Sequence, residues 1–150
     1  MAISAADVKK LRDQTGAGMM DCKAALEEAN GNFEDATTIL RKKGLASAAK
    51  KAGRTTSEGL IGNAVTAGHA SGILVEVNCE SDFVARTDDF QQLIKDILAE
   101  IEKAGDAAND AWLKDPNGPV QPLVAAAIGK LGENMAVPRF VRYAGQGYVG

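Results

Sequence analysis

The chain has 150 residues, 45% of them hydrophobic, 25% charged and 5% aromatic, with a formal net charge of -3. That apolar content excludes a wholly disordered chain and calls for a core of aliphatic side chains and alanine, while the slight acidity argues against a dedicated nucleic-acid binder, which needs surplus Lys and Arg. The two cysteines, Cys22 and Cys79, lie far apart and read as small buried hydrophobes of a reducing compartment rather than a disulfide or metal framework; with no signal-like start and no apolar run long enough for a bilayer, a soluble cytoplasmic or organellar protein is expected.

In chain order, Ala5, Val8 and Leu11 recur at spacing three and predict a short amphipathic helix over Ser4 to Thr15. Gly16-Ala17-Gly18 breaks it. Cys22, Ala25, Leu26 and Ala29 share the face of a second helix that stops at Asn30-Gly31. Asn32 caps a third, with Glu34 and Asp35 in its first turn and Phe33, Ala36 and Leu40 on one face, ending at Lys42-Lys43-Gly44. Residues 1–44 thus read as a three-helix domain. Ala, Ser, Lys and Thr dominate residues 45–58, which read as a basic linker with room for some helix.

From Gly59 the period changes to two. Ile73, Val75, Val77 and Cys79 fall on one face, and Gly68 to Gly72 follow Ile61–Val65 as a turn, so an antiparallel hairpin is expected. Phe90, Leu93, Ile94, Ile97, Leu98 and Ile101 carry the strongest helical periodicity, capped by Thr87 or Asp88. A short helix within Asp106 to Lys114, a turn at Pro116–Pro119, a helix over Leu123 to Ile128 and a strand over Pro138 to Tyr143 follow. Residues 59–150 are therefore expected to form an α+β core with few antiparallel strands and helices on one side.

Several motifs invite chemistry that their context opposes. Gly16-Ala17-Gly18 follows a helix, and Asp21 stands where a dinucleotide loop needs glycine. Glu80, Asp82, Asp88 and Asp89 fit no calcium loop, and helix capping accounts better for them than a metal enzyme does. The single histidine, His69, falls in the hairpin loop and assembles no catalytic triad. Arg41, Lys42, Lys43, Lys50, Lys51 and Arg54 form a basic run without acids or interleaved aromatics: either a complemented helix end with a solvated linker, or an RNA- or ribosome-contacting segment. Adjacent Met19 and Met20 at a helix start point about 100° apart, so they cannot both be buried in so small a bundle. They are either core plus accident or an adaptable contact surface. Phe83, alone among carboxylates in "NCESDFVAR", reads from periodicity as core.

The segments "LRDQTGAGMMDCKAALEEANGNFEDA" (11–36), "EVNCESDFVAR" (76–86) and "IGKLGENMAVPRF" (128–140), taken together and in order, resemble translation elongation factor Ts of bacteria and organelles. The resemblance spans nearly the whole chain. It implies a guanine-nucleotide exchange factor for elongation factor Tu, with no covalent chemistry, metal or cofactor. It also implies an N-terminal bundle of the ubiquitin-associated type ahead of the α+β core. On this resemblance Asp82 and Phe83 reach toward the GTPase's Mg²⁺ and phosphate region. Arg12, Met19 and Met20 contact its GTPase domain, as does the block Leu131-Gly132-Glu133-Asn134, chiefly through Leu131 and Gly132. Ser81 becomes a helix cap and Val84 the core residue of the loop. Members of the family usually continue past the last strand, with a histidine that this sequence lacks. The ending at Gly147-Tyr148-Val149-Gly150 implies a truncated core and an uncovered sheet edge open to self-association.

Overall fold

The computed structural model describes residues 2–145. The ending at Gly147-Tyr148-Val149-Gly150 lies outside them. Helices α1 (Ala5–Thr15), α2 (Met19–Glu28) and α3 (Phe33–Lys51) come first, then strands β1 (Glu58–Val65) and β2 (Ser71–Cys79). Helices α4 (Asp82–Ala85), α5 (Asp88–Ala104), α6 (Asp110–Lys114) and α7 (Val120–Leu131) precede strand β3 (Met135–Ala144). The strands form one antiparallel sheet in the order β1-β2-β3, so the architecture is α+β, as the change of hydrophobic period predicts.

Two apolar clusters hold the chain. In the first, Val8, Leu11, Cys22, Ala25, Leu26 and Ala36 close the three N-terminal helices on one another. Ala5, expected on the buried face, is exposed. Ends are well specified here. Ser4 and Asp7 form a reciprocal capping box that holds the Asp7 carboxyl below its ordinary range through the serine's side-chain and backbone donors. Asn30 and Gly31, with φ of 51° and 83°, turn the chain out of α2, and the Asn32 side chain accepts the amides of Glu34 and Asp35 to start α3.

In the second cluster, α5 lays Phe90, Leu93, Ile94, Ile97, Leu98 and Ile101 against Ile73, Val75 and Val77 of β2, with Val120, Val124 and Ile128 of α7 beside them. Each fully buried large aliphatic side chain contributes about 1.5–3 kcal/mol of transfer free energy, so α5 against β2 is the main source of core stability. Gly62 faces Val75 on the central strand and makes room for this helix: a Cβ there would lie 2.1 Å from the Ile94 Cγ2 methyl. The opposite sheet face carries exposed Ile61, Val65, Leu74, Val141 and Tyr143.

Two expectations need correction. The third helix does not end at Gly44 but continues to Lys51, so the first half of the stretch expected as a linker is helical. Gly44 is there for close approach: its ideal Cβ lies 3.5 Å from the Ala125 carbonyl oxygen, and its Cα lies 3.8 Å from the ideal Cβ of Gly129. Helix α3 therefore packs backbone-close on α7, joining the bundle to the core. The last strand starts at Met135 rather than Pro138. The register shifts between Glu76 and Asn78, so Val137 and Pro138 of β3 oppose a single β2 residue, and this bulge accommodates a proline that cannot donate to a ladder. It also lets Met135 and Val137 face the core while Phe140 and Arg142 stay half-buried two turns of pleat later.

Gly62→Ala is expected to destabilise the core by about 1–3 kcal/mol, because a β-branched isoleucine cannot swing clear of the added methyl. Urea unfolding followed by circular dichroism measures it, and an unchanged midpoint would contradict the packing of α5 on β1.

Candidate functional site

The site is a corner. Strand β2 ends at Cys79, two residues turn the chain, and α4 begins with Asp82 and Phe83 pointing outward. Phe83 is 84% exposed, whereas Ala85 on the other side of the same turn is 4% exposed and Val84 packs against the core. The periodicity-based reading of Phe83 as core is thereby overturned: only one side of this short helix meets the sheet, and Val84 and Ala85 occupy it. Asp82 pairs with Arg86 one turn on, at 3.2 Å, a solvent-exposed ion pair worth little by itself.

A helix of four residues has no intrinsic stability, so the corner is held from outside. Ser81 caps α4, its Oγ accepting the Val84 amide at 3.4 Å. Its amide and hydroxyl both donate to the Glu133 carboxylate, at 3.0 and 2.6 Å. In the reverse direction the Asn134 amide donates to the Glu80 carboxylate at 2.8 Å, and the Asn134 side chain donates to the Arg54 carbonyl at 2.8 Å. Arg54 itself lies 3.4 Å from Glu80. The Cys79 thiol donates to the Ser81 carbonyl at 3.1 Å; burial pushes its pKa up, and the nearby Glu133 charge adds to that, so it is no nucleophile at neutral pH.

The carboxylates that sequence grouped together are dispersed into separate tasks. Glu80 binds the Asn134 amide, Asp82 pairs with Arg86, Asp89 meets Lys130 at 3.1 Å, and Asp88 sits in the first turn of α5 behind the Thr87 cap. Among the described residues no group of three or more His, Cys, Asp or Glu could hold a metal ion.

The other candidates lie along the bundle and the end of α7. Met19 and Met20, 48% and 77% exposed, open α2. Neither belongs to the bundle's core, which removes the reading of one core methionine beside one exposed by accident. Arg12 is exposed in the last turn of α1, across the Gly16–Gly18 loop from them. Leu131 is half-buried against the core, and Gly132 is exposed with φ 76°, ending α7 in the left-handed conformation.

These parts share one support. Lys130, in the last turn of α7, forms its ion pair with Asp89 while its ammonium lies 3.7 Å from the ideal Cβ of Gly16. The end of α7 therefore borders both the loop before Met19 and the corner that carries Phe83. A groove of ≈ 580 Å³ between the α1–α2 loop, α3 and α7, lined by Ala17, Leu40, Leu45, Leu123 and Lys130 among others, does not include Phe83. Met19, Met20 and Phe83 do not line it. Of the basic run, Arg41 to Lys51 complete the final turns of α3, where Lys51 donates to Ser47 and Arg54 just beyond is drawn to Glu80.

Sequence reasoning missed Arg86, and it placed Glu133 and Asn134 only within the block Leu131-Gly132-Glu133-Asn134 implied to contact a GTPase, not as the grip on this corner. Arg86 stands four residues after Asp82, a helical ion-pair spacing readable in advance. Glu133 and Asn134 act 52 and 54 residues away in sequence, and no local pattern marks such a grip.

Comparison with known proteins agrees with the segments noted in the sequence. A family model described as Elongation factor TS matches residues 80–150. The chain is 46% identical to an Elongation factor Ts of Trichlorobacter lovleyi over 98% of its own length and 49% of the relative's. It is also 46% identical to that of Aquifex aeolicus, over 99% of this chain and 55% of the relative. It thus spans about half the length of these curated relatives. The Moorella thermoacetica protein of the same name is 39% identical with 98% of both chains covered. Identities of 39–40% that cover 94–98% of a relative's length show that the chain belongs to the elongation factor Ts family.

Proposed function

We propose that this chain binds elongation factor Tu and promotes release of its GDP, acting as a guanine-nucleotide exchange factor in the cytoplasm or an organelle matrix. The observation that carries the reading is Phe83, a large apolar side chain 84% exposed on a corner tied down by five hydrogen bonds, one of them the Ser81 cap. Exposed, rigidly presented aromatic groups are what protein interfaces use as anchors.

The mechanism is thermodynamic linkage. A partner that binds the nucleotide-free GTPase more tightly than the GDP-bound form must weaken GDP by the same factor. Phe83 supplies the wedge toward the nucleotide region, with Asp82 beside it. Arg12, Met19, Met20, Leu131 and Gly132 supply affinity on the GTPase domain, methionine's flexible thioether suiting an irregular surface. No bond is made or broken in the polypeptide or nucleotide, so no catalytic group and no cofactor is called for. The N-terminal bundle and the α+β core act in this reading as two domains, the first gripping and the second displacing. The RNA-module reading of the segment 41–54 gains no comparable observation, since Lys51 and Arg54 are engaged within the chain. Self-association through the outer strands of the sheet belongs to the same proposal. Sedimentation velocity would reveal it as a concentration-dependent rise toward twice the monomer mass, and a constant monomer value over the micromolar range would remove it.

Burying a phenylalanine in a partner contributes about 1.5–3 kcal/mol, so Phe83→Ala is expected to cut the maximal rate of GDP release by about 10- to 100-fold. Because Phe83 packs on nothing in the free chain, the melting temperature should stay within about 2 °C. Stopped-flow release of a fluorescent GDP from elongation factor Tu measures the first, and an undiminished rate would remove Phe83 from the mechanism. Met20→Ala separates grip from displacement: it should raise the half-saturating concentration by about 3- to 10-fold with the maximal rate retained, on the usual scale for loss of an exposed apolar contact.

A further inference from the structure

Glu133 holds Ser81 at both its amide and its hydroxyl, and it comes from the far end of the core, beyond the terminal glycine of α7. A hydroxyl carries one proton. While that proton is committed to the Glu133 carboxylate at 2.6 Å, Ser81 Oγ can only accept, and it accepts from the Val84 amide at the start of α4. The carboxylate therefore fixes the sense of the cap as well as the place of the serine. The reverse link, Asn134 amide to Glu80, crosses it, so the turn after β2 and the turn after α7 are tied by a carboxylate in each direction. Two residues beyond Ser81 stands Phe83.

We propose that Glu133 is a positioning residue for exchange: its carboxylate works inside the chain, orienting Ser81 and the α4 turn so that Phe83 is presented in one direction, rather than by touching the GTPase. This rests on the exchange role proposed above. Charged hydrogen bonds are shorter and stronger than neutral ones, and the pair of donors on one carboxylate sets direction as well as strength. A corner released from Glu133 keeps Phe83 exposed but spreads it over many orientations, and a wedge must meet its pocket in one of them.

The test has two arms on the full 150-residue chain. The first needs no partner: amide hydrogen exchange at Val84, Ala85 and Arg86 should speed up by about 10-fold or more in Glu133→Ala, the scale of losing hydrogen bonds to a charged group. Amides in α5 and β2 should be unaffected. The second is GDP release from elongation factor Tu. Glu133→Ala is expected to lower the maximal rate by about 10-fold with the half-saturating concentration within twofold. Ser81→Ala, which removes the hydroxyl but leaves the amide on Glu133, should lower the rate as well, and the double variant should lose less than the two single losses combined, since both single variants break the hydroxyl–carboxylate bond. Glu133→Gln, which keeps one acceptor oxygen, should recover part of the rate. Additive losses in the double variant, a rise in half-saturating concentration alone, or unchanged exchange protection at Val84 to Arg86 would each overturn the proposal. Failure of the unmodified chain to release GDP would instead strike the exchange reading, while faster amide exchange in Glu133→Ala would still support the corner's dependence on Glu133.

Discussion

The exposed methionines Met19 and Met20 and the corner that carries Phe83 are arranged around the end of one helix, α7, whose last turns are packed from one side by α3 and followed by the residues that grip the β2–α4 corner. The two helices cross at glycines: an ideal Cβ at Gly44 or Gly129 would already touch the backbone of the other helix, at 3.5 and 3.8 Å, so side chains longer than alanine have no room there. Close crossing of this kind gains dispersion contacts along both helices and leaves little room for rocking. The polar half of the support is the exchange of carboxylates between Glu80 and Asn134 and between Glu133 and Ser81. Bundle and corner are thus referred to a common base, even though each has its own apolar core.

That division of labour explains how a hydrophobic tip can be kept in water. Phe83 is 84% exposed and belongs to neither apolar cluster, so its orientation comes mainly from backbone restraint rather than packing. The short α4 turn would melt alone. It is held by Val84 and Ala85 on the sheet side and by the Ser81 cap on the other, with the ion pair to Arg86 left at the surface as a minor addition. Restraint of this kind costs conformational entropy on folding, about 1–2 kcal/mol for each residue fixed. The gain appears only on association, where an already ordered tip has less to lose.

How far the sequence disclosed this depends on the range of the signals. Helix α5 was legible to the residue, because six large side chains at helical spacing have no other way to be buried together. The hairpin followed from alternation in β2, the caps Thr87 and Asn32 from residue type and place, and Ser81 as a cap from the resemblance. Gly44 misled because glycine means two things: a helix end, or a place where another backbone comes close, and only the partner helix decides. Pro138 misled in the same way, since a proline in a strand is excluded unless a bulge absorbs it. Phe83 could not be placed by periodicity within four residues of helix; the resemblance identified its exposure, and the packing of its neighbours gives the reason. Glu133 was beyond reach, because a carboxylate has no visible address until two turns 52 residues apart are brought together.

In the proposed exchange role, linkage sets a requirement on this frame. The free energy by which the chain favours the nucleotide-free GTPase has to be delivered at the tip, while affinity is gathered by other residues such as Met19 and Met20. If the connection between them yielded, binding would proceed with the tip displaced and nothing would be transmitted to the nucleotide. A backbone-close helix crossing and charge-assisted links at the corner are the two elements in this chain stiff enough to couple them. Neither contains a group that reacts. The chemistry of the site is mechanical in this sense: its specificity lies in where side chains are held, and its work is done through the difference between two bound states of a partner.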